Sequence, residues 1–104
     1  MNTLALDKEG YLRNLSDWSR AVAERLAAAE AITLTEKHWE LIELVRGFYD
    51  TFEVSPEMRV LVKQTRKQLG QDKGNSIYLM QLFGESPAKT LAKVAGLPRP
   101  TNCL

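Results

Sequence analysis

Apolar side chains along the chain recur at spacings of three and four over most of its length, so helices account for nearly all of the pattern. Ser16 is placed to cap a first helix over about Asp17 to Glu30, with Trp18, Val22, Leu26 and Ala29 inward. Ala21, Ala23, Ala27 and Ala28 add helix propensity and permit close approach. Thr35 caps a second helix, whose wide apolar face (Trp39, Ile42, Leu44, Val45, Phe48, Tyr49) marks it as the central core helix. His38 stands at its third position, where a reciprocal cap uses Glu or Gln, so a one-sided cap is expected. Ser55-Pro56 reads as cap and first residue of a third helix that Gly70 ends, with Met58, Leu61, Val62 and Leu69 inward.

Lys73-Gly74-Asn75-Ser76 is a loop and cap before a short helix through Ile77, Tyr78, Met80, Leu82 and Phe83, broken by Gly84. Ser86-Pro87 opens a last helix to about Ala95, with Leu91 and Val94 inward. Ahead of the helices, Leu4 and Leu6 alternate, Asp7-Lys8-Glu9-Gly10 offers turn chemistry, and Tyr11-Leu12 resumes the apolar run, which predicts a small β-hairpin. The expected fold is mainly α (α+β): about five short helices in an orthogonal bundle, an N-terminal hairpin and a flexible C-terminal arm. The division expected is a helical domain over 1–95 and an arm over 96–104.

The arm, Gly96-Leu97-Pro98-Arg99-Pro100-Thr101-Asn102-Cys103-Leu104, cannot be helix or central strand, because Pro98 and Pro100 remove donors and push their neighbours to extended geometry. It holds the one cysteine of the 104 residues. A thiol kept for packing sits inside a helix or strand; Cys103 reads instead as a reactive group on a semi-stiff tether, the competing reading being a residue on a frayed terminus. A single cysteine excludes an intramolecular disulfide and a cysteine-rich zinc or iron–sulfur site, and with one histidine no metal centre or other cofactor is expected.

Charge sharpens this picture. Residues 1–55 carry six Lys/Arg against ten Asp/Glu, and residues 56–104 carry eight against three, so a net −4 half precedes a net +5 half. Positive potential favours the nucleophilic thiolate and attracts anionic partners. Arg59, Lys63, Arg66 and Lys67 form a basic stripe on the third helix, and Arg59, Lys63 and Arg99 are the candidates for stabilising the thiolate or docking a partner. No stretch approaches a membrane span and no leader opens the chain, so a cytoplasmic protein without membrane contact is expected. His38 reads as packing rather than catalysis, Glu40 and Glu43 as a solvated face, and Met58 and Met80 as core filler. Gly70…Gly74 lacks the surroundings of a phosphate loop. One mobile thiol without a resolving partner suits a carrier that takes sulfur as a persulfide and surrenders it to another protein's thiol.

The residues resemble the DsrC/TusE family of small sulfur-trafficking proteins over nearly the whole length. The resemblance is carried by Leu6-Asp7-Lys8-Glu9-Gly10-Tyr11-Leu12 and Asp17-Trp18, by Leu34-Thr35-Glu36-Lys37-His38-Trp39, and by Ser55-Pro56 with Arg59. Gly74-Asn75-Ser76 with Tyr78-Leu79 and Leu82-Phe83, Pro87-Ala88-Lys89, and the tail from Ala95-Gly96-Leu97-Pro98-Arg99-Pro100-Thr101 to Cys103 complete it. Family members of dissimilatory sulfur metabolism have a second cysteine eleven positions before the penultimate one, where this chain has Ala92. Two smaller departures are Glu85-Ser86, where a glycine commonly precedes the proline, and a short N-terminal strand. Single-cysteine members of the family accept persulfide sulfur from a TusBCD complex and pass it to the MnmA enzyme for 2-thiolation of the tRNA wobble uridine. The resemblance therefore implies a sulfurtransferase with Cys103 as the carrier, a TusBCD-like donor and an MnmA-like acceptor, with tRNA as a further candidate partner. Two other readings stay open: a nucleic-acid-binding regulator using the second and third helices as a helix-turn-helix-like pair, and an accessory, gamma-like protein of sulfite reduction.

Overall fold

The computed structural model describes residues 4–101. Five α-helices are present among them: α1 (Arg20–Ala29), α2 (Glu36–Phe52), α3 (Met58–Leu69), α4 (Ser76–Phe83) and α5 (Pro87–Val94). The most C-terminal helix, not α2, is the hub. α5 packs against α1, α2, α3 and α4, whereas α2 reaches only α3 and α5 as substantial neighbours. Its composition explains why: Ala88 and Ala92 are buried between Pro87, Leu91 and Val94, and small side chains let four helices approach one axis. The core gathers around it from Leu41, Ile42 and Val45 of α2, Leu61 of α3, Leu79 and Phe83 of α4, and Ala23 and Ala27 of α1.

The expected hairpin does not form; among the described residues there is no strand. Residues 4–13 make a loop with one isolated antiparallel bridge, Leu6 to Leu12. Asp7 organises it: its Oδ1 accepts from the backbone N–H of Glu9 at 2.9 Å and of Tyr11 at 3.0 Å. Those bonds, the one from Tyr11 foremost, hold the Asp7 carboxyl below its ordinary pKa. Tyr11 and Leu12 are both buried, so the two-residue alternation of a strand ends there and the chain turns into the core.

Several helix starts differ from the expected ones. A single 3₁₀ turn occupies Leu15–Asp17, and α1 begins later under Ser19, whose Oγ accepts from Val22 N–H at 3.2 Å. Trp18 is left outside any helix in extended geometry. The α2 cap is closed by His38, whose Nδ1 accepts from the Thr35 backbone N–H at 3.0 Å. Its Nε2 lies 2.9 Å from the Leu82 carbonyl, which only accepts, so the ring proton is on Nε2 and the histidine ties α2 to α4. An edge-on contact with Phe83 at 5.0 Å completes its packing. α3 starts at Met58 rather than Pro56, with Glu57 as cap residue, and Ser55 and Pro56 are buried ahead of it. The later punctuation is as expected: Gly70 ends α3, Asn75 Oδ1 caps α4 by accepting from Tyr78 N–H at 2.9 Å, Gly84 ends α4, and Pro87 opens α5. No helix among the described residues is long and apolar enough to cross a membrane.

Candidate functional site

Where α5 ends, the chain must turn out of the core while satisfying the last helical carbonyls. Gly96 takes φ +73°, its N–H donates to Lys93 O at 3.1 Å, and Leu97 N–H donates to Ala92 O at 2.9 Å. This pair of bonds, with Leu97 buried, is a Schellman stop. Glycine is required here twice over. Its φ is left-handed, and a Cβ would stand 2.3 Å from Cδ1 of Trp18.

Trp18 is therefore one jaw of a clamp on the arm's root. Its indole Nε1 donates to Val94 O at 2.9 Å. Arg46, from α2, lays its guanidinium over the Trp18 ring at 3.8 Å and donates from Nη1 to Ala95 O at 2.6 Å. Burial lowers the Arg46 pKa from its ordinary value, with Asp50 opposing, and the group stays cationic. A cation at the C-terminus of α5 also meets the negative end of the helix dipole.

Beyond the clamp, Ser55 Oγ donates to Pro98 O at 2.5 Å. Arg99 pairs with Glu9 of the N-terminal loop at 3.2 Å, and Pro100 is buried. Residues 96–101 thus lie against three separate parts of the body: the Trp18–Arg46 pair, the turn before α3, and the Asp7–Gly10 loop. Cys103, the sequence's candidate nucleophile, lies outside the described residues.

The basic candidates are not brought together. Arg99 faces Glu9, whereas Arg59 and Lys63 are exposed on α3 and line a groove of about 660 Å³ with Met58, Val62, Arg66 and Ser76. Trp18, Arg46 and Ser55 escaped the sequence reading as site residues. Trp18 read as an inward helical position and Ser55 as a cap, and Arg46 was not singled out. The available signal was Arg46 itself, a cation set within the apolar run of Leu44, Val45 and Phe48.

Comparison with known proteins bears on this arrangement. A family model described as DsrC like protein matches residues 1–104. The chain is 52% identical over 98 residues to the sulfurtransferase TusE of Yersinia pseudotuberculosis serotype I (strain IP32953), a match covering 94% of this chain and 91% of that relative. Its fold is similar to the solution structure of Allochromatium vinosum DsrC, with a TM-score of 0.88, 46% identity, and coverage of 99% and 92% of the two chains. It is also similar to the crystal structure of the oxidized gamma-subunit of the dissimilatory sulfite reductase, DsrC, of Archaeoglobus fulgidus, with a TM-score of 0.85, 38% identity, and coverage of 99% and 94%.

Proposed function

The chain belongs to the DsrC-like protein family, and on that premise we propose that Cys103 is the sulfur-carrying residue of a sulfurtransferase that works in a relay. The observation that carries the proposal is the clamped root of the arm. α5 ends in a fixed geometry at Gly96, and the chain's one thiol follows seven positions later in the sequence. Such an arrangement suits a thiol delivered into another protein's site, with the body as handle. The two units of the proposal are accordingly a body over 1–95 and an arm over 96–104.

The chemistry needs no oxidant. The Cys103 thiolate attacks the terminal sulfur of a donor persulfide; an Sγ–S bond forms, the donor's S–S bond breaks, and the donor leaves as a thiolate that takes up a proton. The cargo then leaves by the same exchange on an acceptor thiol, which regenerates Cys103. The excess of cations after residue 55 favours the attacking thiolate, and Arg59, Lys63 and Arg99 are the residues proposed to serve it or to dock a partner. With Ala92 in place of a second cysteine, no resolving thiol competes within the chain.

The finer reading is that sulfur arrives from a TusBCD-like complex and leaves to an MnmA-like enzyme for tRNA wobble-uridine 2-thiolation, in the cytoplasm. The relatives compared are named as a sulfurtransferase or as DsrC, which gives the regulator reading no counterpart among them.

Intact-mass spectrometry after incubation with a cysteine desulfurase, cysteine and the relay proteins tests the proposal. The wild-type chain gains one sulfur that reductant removes, and Cys103→Ser gains none while melting at the wild-type temperature. Sulfur transfer that persists through Cys103→Ser sinks the carrier role.

A further inference from the structure

We infer that the groove between α3 and α4 is the docking surface for a partner protein that presents an acidic segment with apolar anchors. The inference rests on the relay reading for the partner's role, but its argument is independent of the thiol.

α3 carries Arg59, Lys63, Arg66 and Lys67 and no acidic residue from Met58 to Leu69. The flanking acids are Glu57 at its cap and Glu85 at the far end of the groove. Three cations elsewhere are ion-paired within the molecule: Lys73 with Glu40, Lys93 with Glu30, Arg99 with Glu9. Arg59 and Lys63 have no ion pair among the described residues, and both are exposed.

The groove floor is apolar. Met58 and Val62 line its larger part, and past the shared residues Met58 and Ser76 it continues as a further 260 Å³ bounded by Met80, Pro87 and Ala88. α4 has no charged side chain. It turns Leu79 and Phe83 into the core and leaves Ile77 71% and Met80 44% exposed. Both read as part of an apolar helix in the sequence, and Met80 as core filler; the eight-residue helix is too short to bury more than one face. Met58, Val62 and Met80 give the groove an apolar lining with cations along its α3 rim, a surface built to be covered, and methionines adapt to an incoming side chain.

Charge complementarity chooses the occupant. Phosphates would match the cations, but a single-stranded nucleic acid gains from aromatic platforms under its bases, and none of Met58, Val62 or Met80 provides one. A peptide segment with Asp or Glu flanking apolar anchors satisfies both features at once. The groove also begins beside the arm. Met58 lies three residues after Ser55, whose hydroxyl holds Pro98. Cys103 follows Pro98 by five residues, a chain length of at most about 18 Å, so a partner seated in the groove is within the arm's reach.

Binding by the full chain bearing Cys103→Ser, which cannot form mixed disulfides, separates docking from sulfur chemistry. The probes are a purified TusBCD complex, purified MnmA and unmodified tRNA, each titrated against the labelled chain at two salt concentrations. Arg59→Glu with Lys63→Glu is expected to weaken binding to at least one of the two proteins tenfold or more and to flatten its salt dependence. Met80→Asp is expected to weaken the same complex by a similar factor, while both variants melt within about 2 °C of the parent, since these side chains are exposed. Unchanged protein affinity in both variants overturns the inference. So does a charge-reversal effect seen with tRNA alone, which assigns the face to nucleic acid. Absence of parent binding to either protein also overturns it; sulfur loading of the wild-type chain, read by mass, then decides the carrier role separately.

Discussion

The two ends of α5 are treated in opposite ways. At its C-terminus every exit is closed: Trp18 takes the Val94 carbonyl, Arg46 takes that of Ala95, and Gly96 is pressed against the indole. At its N-terminus Ser86 makes no side-chain cap, and Pro87 and Ala88 border a groove next to exposed Met80. One short helix of mostly small and apolar residues therefore supplies a fixed root for the arm and one wall of an open surface. Rigidity is spent where the position of the departing chain matters. Apolar exposure is tolerated where a partner is proposed to cover it.

The largest effect on this contrast is expected from Gly96→Ala. The left-handed φ costs an alanine about 1–2 kcal/mol. A Cβ at 2.3 Å from Trp18 forces the indole away, at about 1–3 kcal/mol more for an overpacked contact. Thermal unfolding should drop by roughly 8–40 °C, at about 4–8 °C per kcal/mol for a domain of this size. A melting temperature within 3 °C of wild type would mean that the root is not held by this contact, and the contrast between the two ends would collapse.

Trp18→Phe probes the same end more gently. The ring under Arg46 is retained, but the Nε1 donor to Val94 is lost, which costs about 1 kcal/mol. A fall of roughly 4–8 °C is expected. A fall as large as that of Gly96→Ala would show that indole packing, and not the hydrogen bond, dominates the clamp.

Helices and their stops were legible because their signals are local. Asn75, Gly70, Gly84 and Pro87 act on neighbours within a few positions, and the structure uses each as its chemistry demands. The clamp was not legible, because its bonds join residues 76, 49 and 43 positions apart: Trp18 to Val94, Arg46 to Ala95, Ser55 to Pro98. Nothing in a one-dimensional pattern distinguishes a serine that caps a helix from one that holds a distant carbonyl, so Ser16 and Ser55 were both read as caps. Periodicity likewise names apolar positions without saying how many the neighbours can cover. The hub therefore went to long α2 instead of small-residue α5, and Ile77 and Met80 joined the apolar helix though both are exposed. The basic stripe and the thiol needed no partners to be noticed, and both were.

Ser55→Ala should have the smallest effect on stability and decides where the fixed root ends. The hydroxyl supplies one hydrogen bond to the Pro98 carbonyl, and Pro98 itself is exposed, so water can replace the lost donor. The net cost is about 0.5–1 kcal/mol, a few degrees of melting temperature. The informative readout is local. Pro98 and Pro100 have no N–H, so the hydrogen-bonded amides of Gly96 and Leu97 just before them report on this stretch by hydrogen exchange. They should exchange several-fold faster in Ser55→Ala, while amides in the middle of α5, such as Leu91, keep their protection. Unchanged exchange at Gly96 and Leu97 would place the hold on the Arg99–Glu9 pair and buried Pro100 instead, moving the last fixed point of the root two residues closer to the thiol. Loss of protection reaching Leu91 would mean that the turn before α3 is part of the clamp on α5, and the closed end of that helix would extend as far as Ser55.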